Sequence, residues 1–474
     1  MAGTRLRPGA SPGPSAGPIP DTAASAGPTA GIRIGLSVLA LVAFVAILVV
    51  RQGPPAGGDT TSLTAPTTAL VHGDLTGAAT GSVLPNPPGY AIVAAAVVAP
   101  LRAWIGSGNW CATPSRATAL RRELVAAHQT QAIDGIGACG TSLRTDRGVI
   151  AALPPWYRSQ GVVAVLAWVA LVVGAVALLR TLGVGRGWAE VGLIWALALL
   201  PAASDAIVIL FHPQDLLCLG LSLAGLAATF RRRWLLAGAL FGSALVTKQF
   251  ALLILVPALV AVPGWRLRGR VVGVAAAVAA VVVAPLLAVA PGRTLQDLAG
   301  VGSAGAVRGA TLVGRLGVGP TLESVVARGV PVVLAIGLSL WAARRPTTRS
   351  SPVAVLGLVL ACLAGRLVFE SVVIPYYLLG ASTAFLVLDL AQRRPPSRSL
   401  AWIAGAAAFL ALPVHAPWVD AIGTLAFALV ALGVGLRAAC RPEPQAGRPG
   451  EQVDRAEQVE SVLGAAPAMA VGTP

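Results

Sequence analysis

Twelve long apolar stretches, broken by short turns that carry arginine at every second break, constrain this chain more than any other feature. They fall at 32–50, 161–180, 188–211, 214–230, 234–247, 249–264, 270–290, 326–343, 352–369, 373–391, 399–414 and 417–436. A helix needs roughly 20 apolar residues to cross a bilayer's hydrocarbon core. Most stretches approach that length, whereas 234–247 and 249–264 are short and are expected to be tilted, kinked or incompletely spanning. Charge density argues the same way. Of 474 residues 56% are hydrophobic and 11% charged, with mean hydropathy +0.78, where a soluble domain carries about 25% charged residues. That excludes a large soluble globule and a disordered chain. The expected fold is all-α, a polytopic membrane bundle of about twelve helices.

Orientation follows from the arginines. Alternate connections hold Arg180 and Arg186; Arg231, Arg232 and Arg233; Arg266, Arg268 and Arg270; Arg344, Arg345 and Arg349; Arg393, Arg394 and Arg398. The connections between them hold His212 and Asp215, Lys248, Glu370 and His415. The positive-inside rule places the arginine set in the cytoplasm of a multi-pass protein of the cell membrane, with both termini cytoplasmic. Two larger connections, 51–160 and 291–325, then lie outside. Within the first, 88–104 is apolar but short and contains Pro100. It is read as a juxtamembrane or re-entrant helix; a true span would invert the downstream arginine alternation and require a second crossing between 105 and 160. Residues 1–31 and 438–474 have nothing to pack and read as disordered cytoplasmic tails flanking one membrane domain, 32–437. The 32–50 stretch is long for a signal peptide and no clean cleavage site follows, so an uncleaved anchor is expected.

The net charge of +16 does not call for nucleic acid, because the arginines flank apolar segments, where they would meet lipid headgroups. Lys248 is the only lysine. Cys111 and Cys139 lie in the proposed outer region, where a disulfide would be permitted, although two unrelated thiols is the plain alternative. No Cys or His spacing indicates a metal site.

Ionisable side chains at membrane depth are costly and therefore functional candidates. On this topology the outer ends of the spans collect Asp59, His72, Asp74, His212, Gln214, Asp215, Lys248, Arg366, Glu370, Tyr376, Tyr377 and His415, while the cytoplasmic ends collect almost only arginine. The working face is therefore expected outside. Plain structural roles stand beside each candidate. Asp59 in GDTT suits a helix cap, Lys248 a snorkelling side chain, Asp74 a turn, Arg366 and Glu370 an i, i+4 ion pair, and the tyrosines interfacial aromatics.

Three segments carry a family resemblance. Asp59 follows the first stretch, with Ala69, Leu70 and Gly73 after it, then Pro87 and Pro88 before an apolar helix. The second segment is AGALFGSALVTKQFALLILVPAL at 237–259, and the third RLVFESVVIPYYLLG at 366–380. In order and placement these resemble the polyprenol-phosphate-dependent mannosyltransferases and their wider GT-C superfamily. Leu63 stands where relatives usually have tyrosine, FHPQD at 211–215 retains only Gln214 of a Gly-Gln pair, and 105–160 looks like an insertion. The resemblance implies a helical membrane bundle with a large first outer loop. It also implies transfer of a sugar, often mannose, from a polyprenyl-phosphate carrier to an envelope glycolipid or polysaccharide, with inversion and without a cofactor.

On that reading Asp59 is the base that takes the acceptor's proton. Lys248, with Arg293, Arg308, Arg315 and Arg366 as further candidates, offsets the departing phosphate's charge. His72, Asp74, His212, Gln214, Asp215, Glu370, Tyr376 and Tyr377 are candidate substrate contacts. The scheme needs no metal. A transporter or lipid flippase, and a non-catalytic membrane partner in envelope-polymer assembly, are the competing readings.

Overall fold

The computed structural model describes residues 28–50, 63, 66–67, 69–71, 73–80, 87–105, 155–184, 187–208, 211–299, 320–370, 375–411 and 417–441. All regular elements among them are helical. Apolar sequence in lipid leaves few alternatives, since a helix satisfies its backbone hydrogen bonds internally and an open strand does not. Eight helices are long and apolar enough to cross a membrane. They map onto eight of the twelve stretches, and the other four, from 234, 249, 373 and 399, form shorter helices. The protein is an all-α polytopic membrane protein.

In chain order the helices are α1 (Ala30–Val50), α2 (Leu75–Thr80), α3 (Gly89–Ile105), α4 (Pro155–Thr181), α5 (Trp188–Leu199), α6 (Pro201–Val208), α7 (Pro213–Phe230) and α8 (Trp234–Thr247). A 3-10 turn at Gln249–Ala251 leads to α9 (Leu252–Ala258), followed by α10 (Trp265–Val289), α11 (Pro291–Ala299) and α12 (Pro320–Ala343). Then come α13 (Pro346–Ser350), α14 (Pro352–Phe369), a 3-10 turn at Pro375–Tyr377, α15 (Leu378–Ala391), α16 (Ser397–Ala411) and α17 (Pro417–Cys440). The 188–211 stretch is divided: Leu200 is extended and Pro201 restarts the chain as α6. Helix α3 covers the 88–104 stretch and, at 17 residues with Pro100 inside, is among the shorter apolar helices.

Two central helices organise the bundle. The apolar windows of α7 and α14 are 83% and 78% buried, against 17% for α1 and 22% for α10. Lipid is as apolar as leucine, so close packing rather than water exclusion must hold such helices together. Glycine allows it. A Cβ on Gly220 would lie 2.5 Å from the Ala170 carbonyl, seating α7 on α4 backbone to backbone. Gly357 does the same for α14 on α17, where a Cβ would lie 2.7 Å from the Gly435 oxygen.

Arginine turns share one end of the bundle. An Arg231 guanidinium nitrogen donates to the Ala177 carbonyl, near Arg180, and Thr348 donates to the Ala439 carbonyl, bringing the start of α14 to the end of α17. Helices α8 and α10 run side by side in the same direction, Gly238 against Val271 and Gly242 against Ala275, so Arg233 and Arg266 lie at that end together. Two of these turns place arginine at positive φ, Arg232 at 59° and Arg393 at 55°. Each sits in a Schellman arrangement, Arg233 N–H bonding Ala228 O and Arg394 N–H bonding Asp389 O, where glycine is the usual occupant.

Candidate functional site

At the opposite end, α7 begins, α8 breaks, α14 stops and α15 begins. Each boundary is written in the local sequence. Pro213 occupies the first turn of α7, the position where its missing N–H costs nothing. Just before it Phe211 takes φ 54°, a conformation that bulky residues rarely adopt. The α8–α9 segment breaks at Lys248, which is extended, and the Cys218 thiol of α7 donates to its carbonyl at 3.5 Å.

These boundaries bring the distal sequence candidates together. Lys248 Nζ lies 3.8 Å from Asp215 Oδ1, and His212 Nδ1 lies 3.7 Å from Asp215 Oδ2. The Gln214 amide nitrogen is 2.8 Å from His212 Nδ1. His212 stacks on Tyr376 at 4.6 Å between ring centres, and Tyr376 meets Tyr377 edge-on at 4.7 Å. Arg366 Nε donates to Glu370 Oε2 at 2.9 Å, while its guanidinium lies over Tyr377 at 4.9 Å and over Phe250 at 5.3 Å. A small cleft opens between Asp215, Phe250, Arg366 and Tyr377.

His212, Gln214 and Asp215 are all buried, yet Gln214 Oε1 and Asp215 Oδ2 accept no hydrogen bond. Buried acceptors are normally satisfied, and an unsatisfied one costs about 1–3 kcal/mol. Asp215 lines the cleft, and its open oxygen is suited to a ligand that donates a hydrogen bond. Among the described residues no cluster of three or more His, Cys, Asp or Glu side chains could hold a metal.

Segments from the first and second larger connections frame this end. A Cβ on Gly89 would lie 2.6 Å from the Val246 carbonyl, so the Pro87–Pro88–Gly89 turn sits on the end of α8, two residues from Lys248. Ala69 and Leu70 pack with α2 against Leu286 and Ala290 at the end of α10. Gln249 donates to the Leu298 carbonyl of α11 at 3.0 Å, tying the break to the helix that carries Arg293. Asp74 has a local role, its Oδ1 accepting the Gly77 N–H at 2.8 Å at the start of α2. Asp59, His72, Arg308, Arg315, His415, Cys111 and Cys139 lie outside the described residues; Cys218, Cys362 and Cys440 are free thiols.

Two members of this end escaped the sequence reading. Arg328, three residues inside the 326–343 stretch, interacts electrostatically with Glu370, Tyr377 and Arg366. Asp205 is buried in α6, which packs against the 375–377 turn. In both cases the available signal was a charge inside an apolar stretch. With both counted, Lys248, Arg328 and Arg366 are three cations against three carboxylates, Asp205, Asp215 and Glu370, so the charges at this end balance. Comparison with known protein families and with curated proteins finds no match.

Proposed function

We propose that this protein is a membrane glycosyltransferase that moves a sugar, mannose being the first to test, from a polyprenyl monophosphate to an envelope glycolipid or polysaccharide on the outer face. One observation carries the reading. Two cations, Lys248 beside Asp215 and Arg366 on the same cleft, stand at the end of the bundle away from the arginine turns, where the buried Asp215 Oδ2 and, next to it in the chain, Gln214 Oε1 accept no hydrogen bond. Cations suit the phosphate, and unfilled acceptors suit the sugar hydroxyls. The positive-inside rule makes that end extracytoplasmic and puts Ala30 and Cys440 on the cytoplasmic side.

In the reaction the acceptor hydroxyl gives its proton to a carboxylate as its oxygen attacks the anomeric carbon. Asp59, nine residues after the end of α1, is assigned as that base. The bond from the anomeric carbon to the phosphate oxygen breaks, and its electron pair leaves with the polyprenyl phosphate. Attack from the face opposite the leaving group inverts the centre. Lys248 and Arg366 meet the growing charge on the phosphate in a poorly hydrated setting, where such stabilisation is strongest.

A second reading, transport or flipping of a lipid-linked sugar, draws on the helix breaks at Leu200, Phe211 and Lys248, since transporters place charged groups at interrupted helices. Membranes with and without the protein, incubated with radiolabelled polyprenyl-phosphate mannose, separate the two. The enzyme yields a new labelled lipid or polymer that the Lys248→Met protein makes at about a hundredth of the rate. Flux of the intact carrier in proteoliposomes without any covalent product overturns the transferase reading.

A further inference from the structure

A groove lies at the arginine-rich end, away from the cluster above. It has a volume of about 480 Å³ and runs between α1 and the paired helices α4 and α5. Ile34, Val38 and Leu41 form one wall; Val169 and Val172 form the other. At its floor Phe44 stacks on Trp168, ring centres 4.7 Å apart, and closes α1 onto α4. At its mouth stand Arg33, Arg180 and Glu190. Arg180 and Glu190 satisfy each other as an ion pair through two hydrogen bonds. The Arg33 Nε is buried and makes no hydrogen bond.

Length and charge identify the occupant. From Arg33 to Leu41 the helix rises about 12 Å, and from Arg180 back to Trp168 about 18 Å. The groove therefore runs about half of a roughly 30 Å hydrocarbon core, the depth of one leaflet. Because α1 is among the least buried of the spans, the groove opens sideways toward lipid. Its mouth keeps one net positive charge after Arg180 and Glu190 cancel, with Arg231 close by on the Ala177 carbonyl.

We propose that this groove is a binding site for one anionic phospholipid of the leaflet at the arginine-rich end. Its phosphodiester oxygen accepts from Arg33 Nε–H and from the outward face of Arg180, and one acyl chain lies along Val38 and Val172 as far as the Phe44–Trp168 stack. The site is independent of the proposed transferase activity.

The full chain, purified in mild detergent and delipidated, is incubated with phosphatidylglycerol or phosphatidylcholine of identical acyl chains, and retained lipid is counted by native mass spectrometry. Phosphatidylglycerol is expected to be retained about fivefold over phosphatidylcholine, the preference that one basic side chain near an anionic headgroup supplies. Arg33→Gln should abolish that preference, Arg33→Lys should keep most of it, and Val38→Trp, which fills the acyl slot, should reduce retention of both lipids. A thermal melt of each variant verifies folding. Equal retention of the two lipids by the wild-type chain, or a preference that Arg33→Gln leaves intact, overturns the proposal. So does a gain in retention when residues 1–28 are deleted, because the groove would then belong to the chain's own amino-terminal segment.

Discussion

The two ends of the bundle hold similar charged side chains in opposite arrangements. At the arginine-rich end the buried acids are each claimed by one arginine: Glu190 by Arg180 and Asp389 by Arg398. Asp389 is fully buried while Arg398 remains partly exposed, as in a structural tie that anchors a turn. At the other end Asp215 is shared between Lys248 and His212, and both it and Gln214 keep an acceptor unfilled. Unfilled acceptors do not separate the two ends, since Asp389 Oδ2 is also buried without a hydrogen bond; what differs is how many partners compete for each acid. The contrast is thus between a closed end, where each acid has one arginine, and an open end, where one acid is shared between a lysine and a histidine.

Removing the proposed base should break this contrast most severely. Asp59→Asn is expected to lower sugar transfer by about 10²–10⁴-fold, the range for general-base catalysis, with normal amounts of protein in the membrane. Transfer at wild-type rate would remove Asp59 from the mechanism. Lys248→Met comes next, with an expected loss of about 10²-fold in kcat. It also strips Asp215 of its cation, so Lys248→Arg is the companion variant and should recover part of the rate. If both lysine variants transfer normally while Arg366→Gln does not, the phosphate lies with Arg366 and Arg328 instead.

Arg398→Leu tests the closed end. It leaves the Asp389 carboxylate buried and unpaired. Breaking such a pair costs about 3–5 kcal/mol when both partners are buried, and the exposure of Arg398 reduces the expected loss to roughly 2 kcal/mol. The midpoint of thermal unfolding in detergent should fall, while transfer per folded molecule stays unchanged. A loss of transfer without a loss of stability would show that the two ends are coupled.

How much of this was legible depended on whether function and membrane pattern spoke the same language. Hydropathy located every described membrane helix, because apolar runs of about 20 residues have no other stable fate in lipid. The interruption near Lys248 was visible as two runs too short to span. The division of 188–211 was not: Leu200 and Pro201 lie inside unbroken hydrophobic sequence, and counting apolar residues passes over both the break and Asp205. Arg328 was hidden likewise, three residues into a stretch scored as a whole. Chain alternation collected His212, Asp215, Lys248 and Glu370 at one end, but it carried no information about which of them touch. The Asp215–Lys248 contact needed the seating of α7 against α8, and that depends on packing rather than on pattern.

The smallest effect concerns why arginine occupies the left-handed positions of two turns. In the turn after α15, Arg393 sits at φ 55°. A side chain with a Cβ costs about 1–2 kcal/mol there, which glycine avoids. Glycine gives back part of that gain through the greater freedom of the unfolded chain. Arg393→Gly should therefore raise stability by somewhat less than about 1 kcal/mol, a shift of a degree or two in the melting midpoint of a chain this size. On the proposed orientation the arginine is then explained by topology rather than by stability, because a cation in that turn would favour the cytoplasmic side. Replacing Arg393 and Arg394 together, with Arg398 kept on Asp389, followed by accessibility labelling of the exposed Cys440 from each side of the membrane, checks this. Mixed orientation is expected if the arginines set topology. A uniform orientation with higher stability would leave the left-handed arginine without a reason.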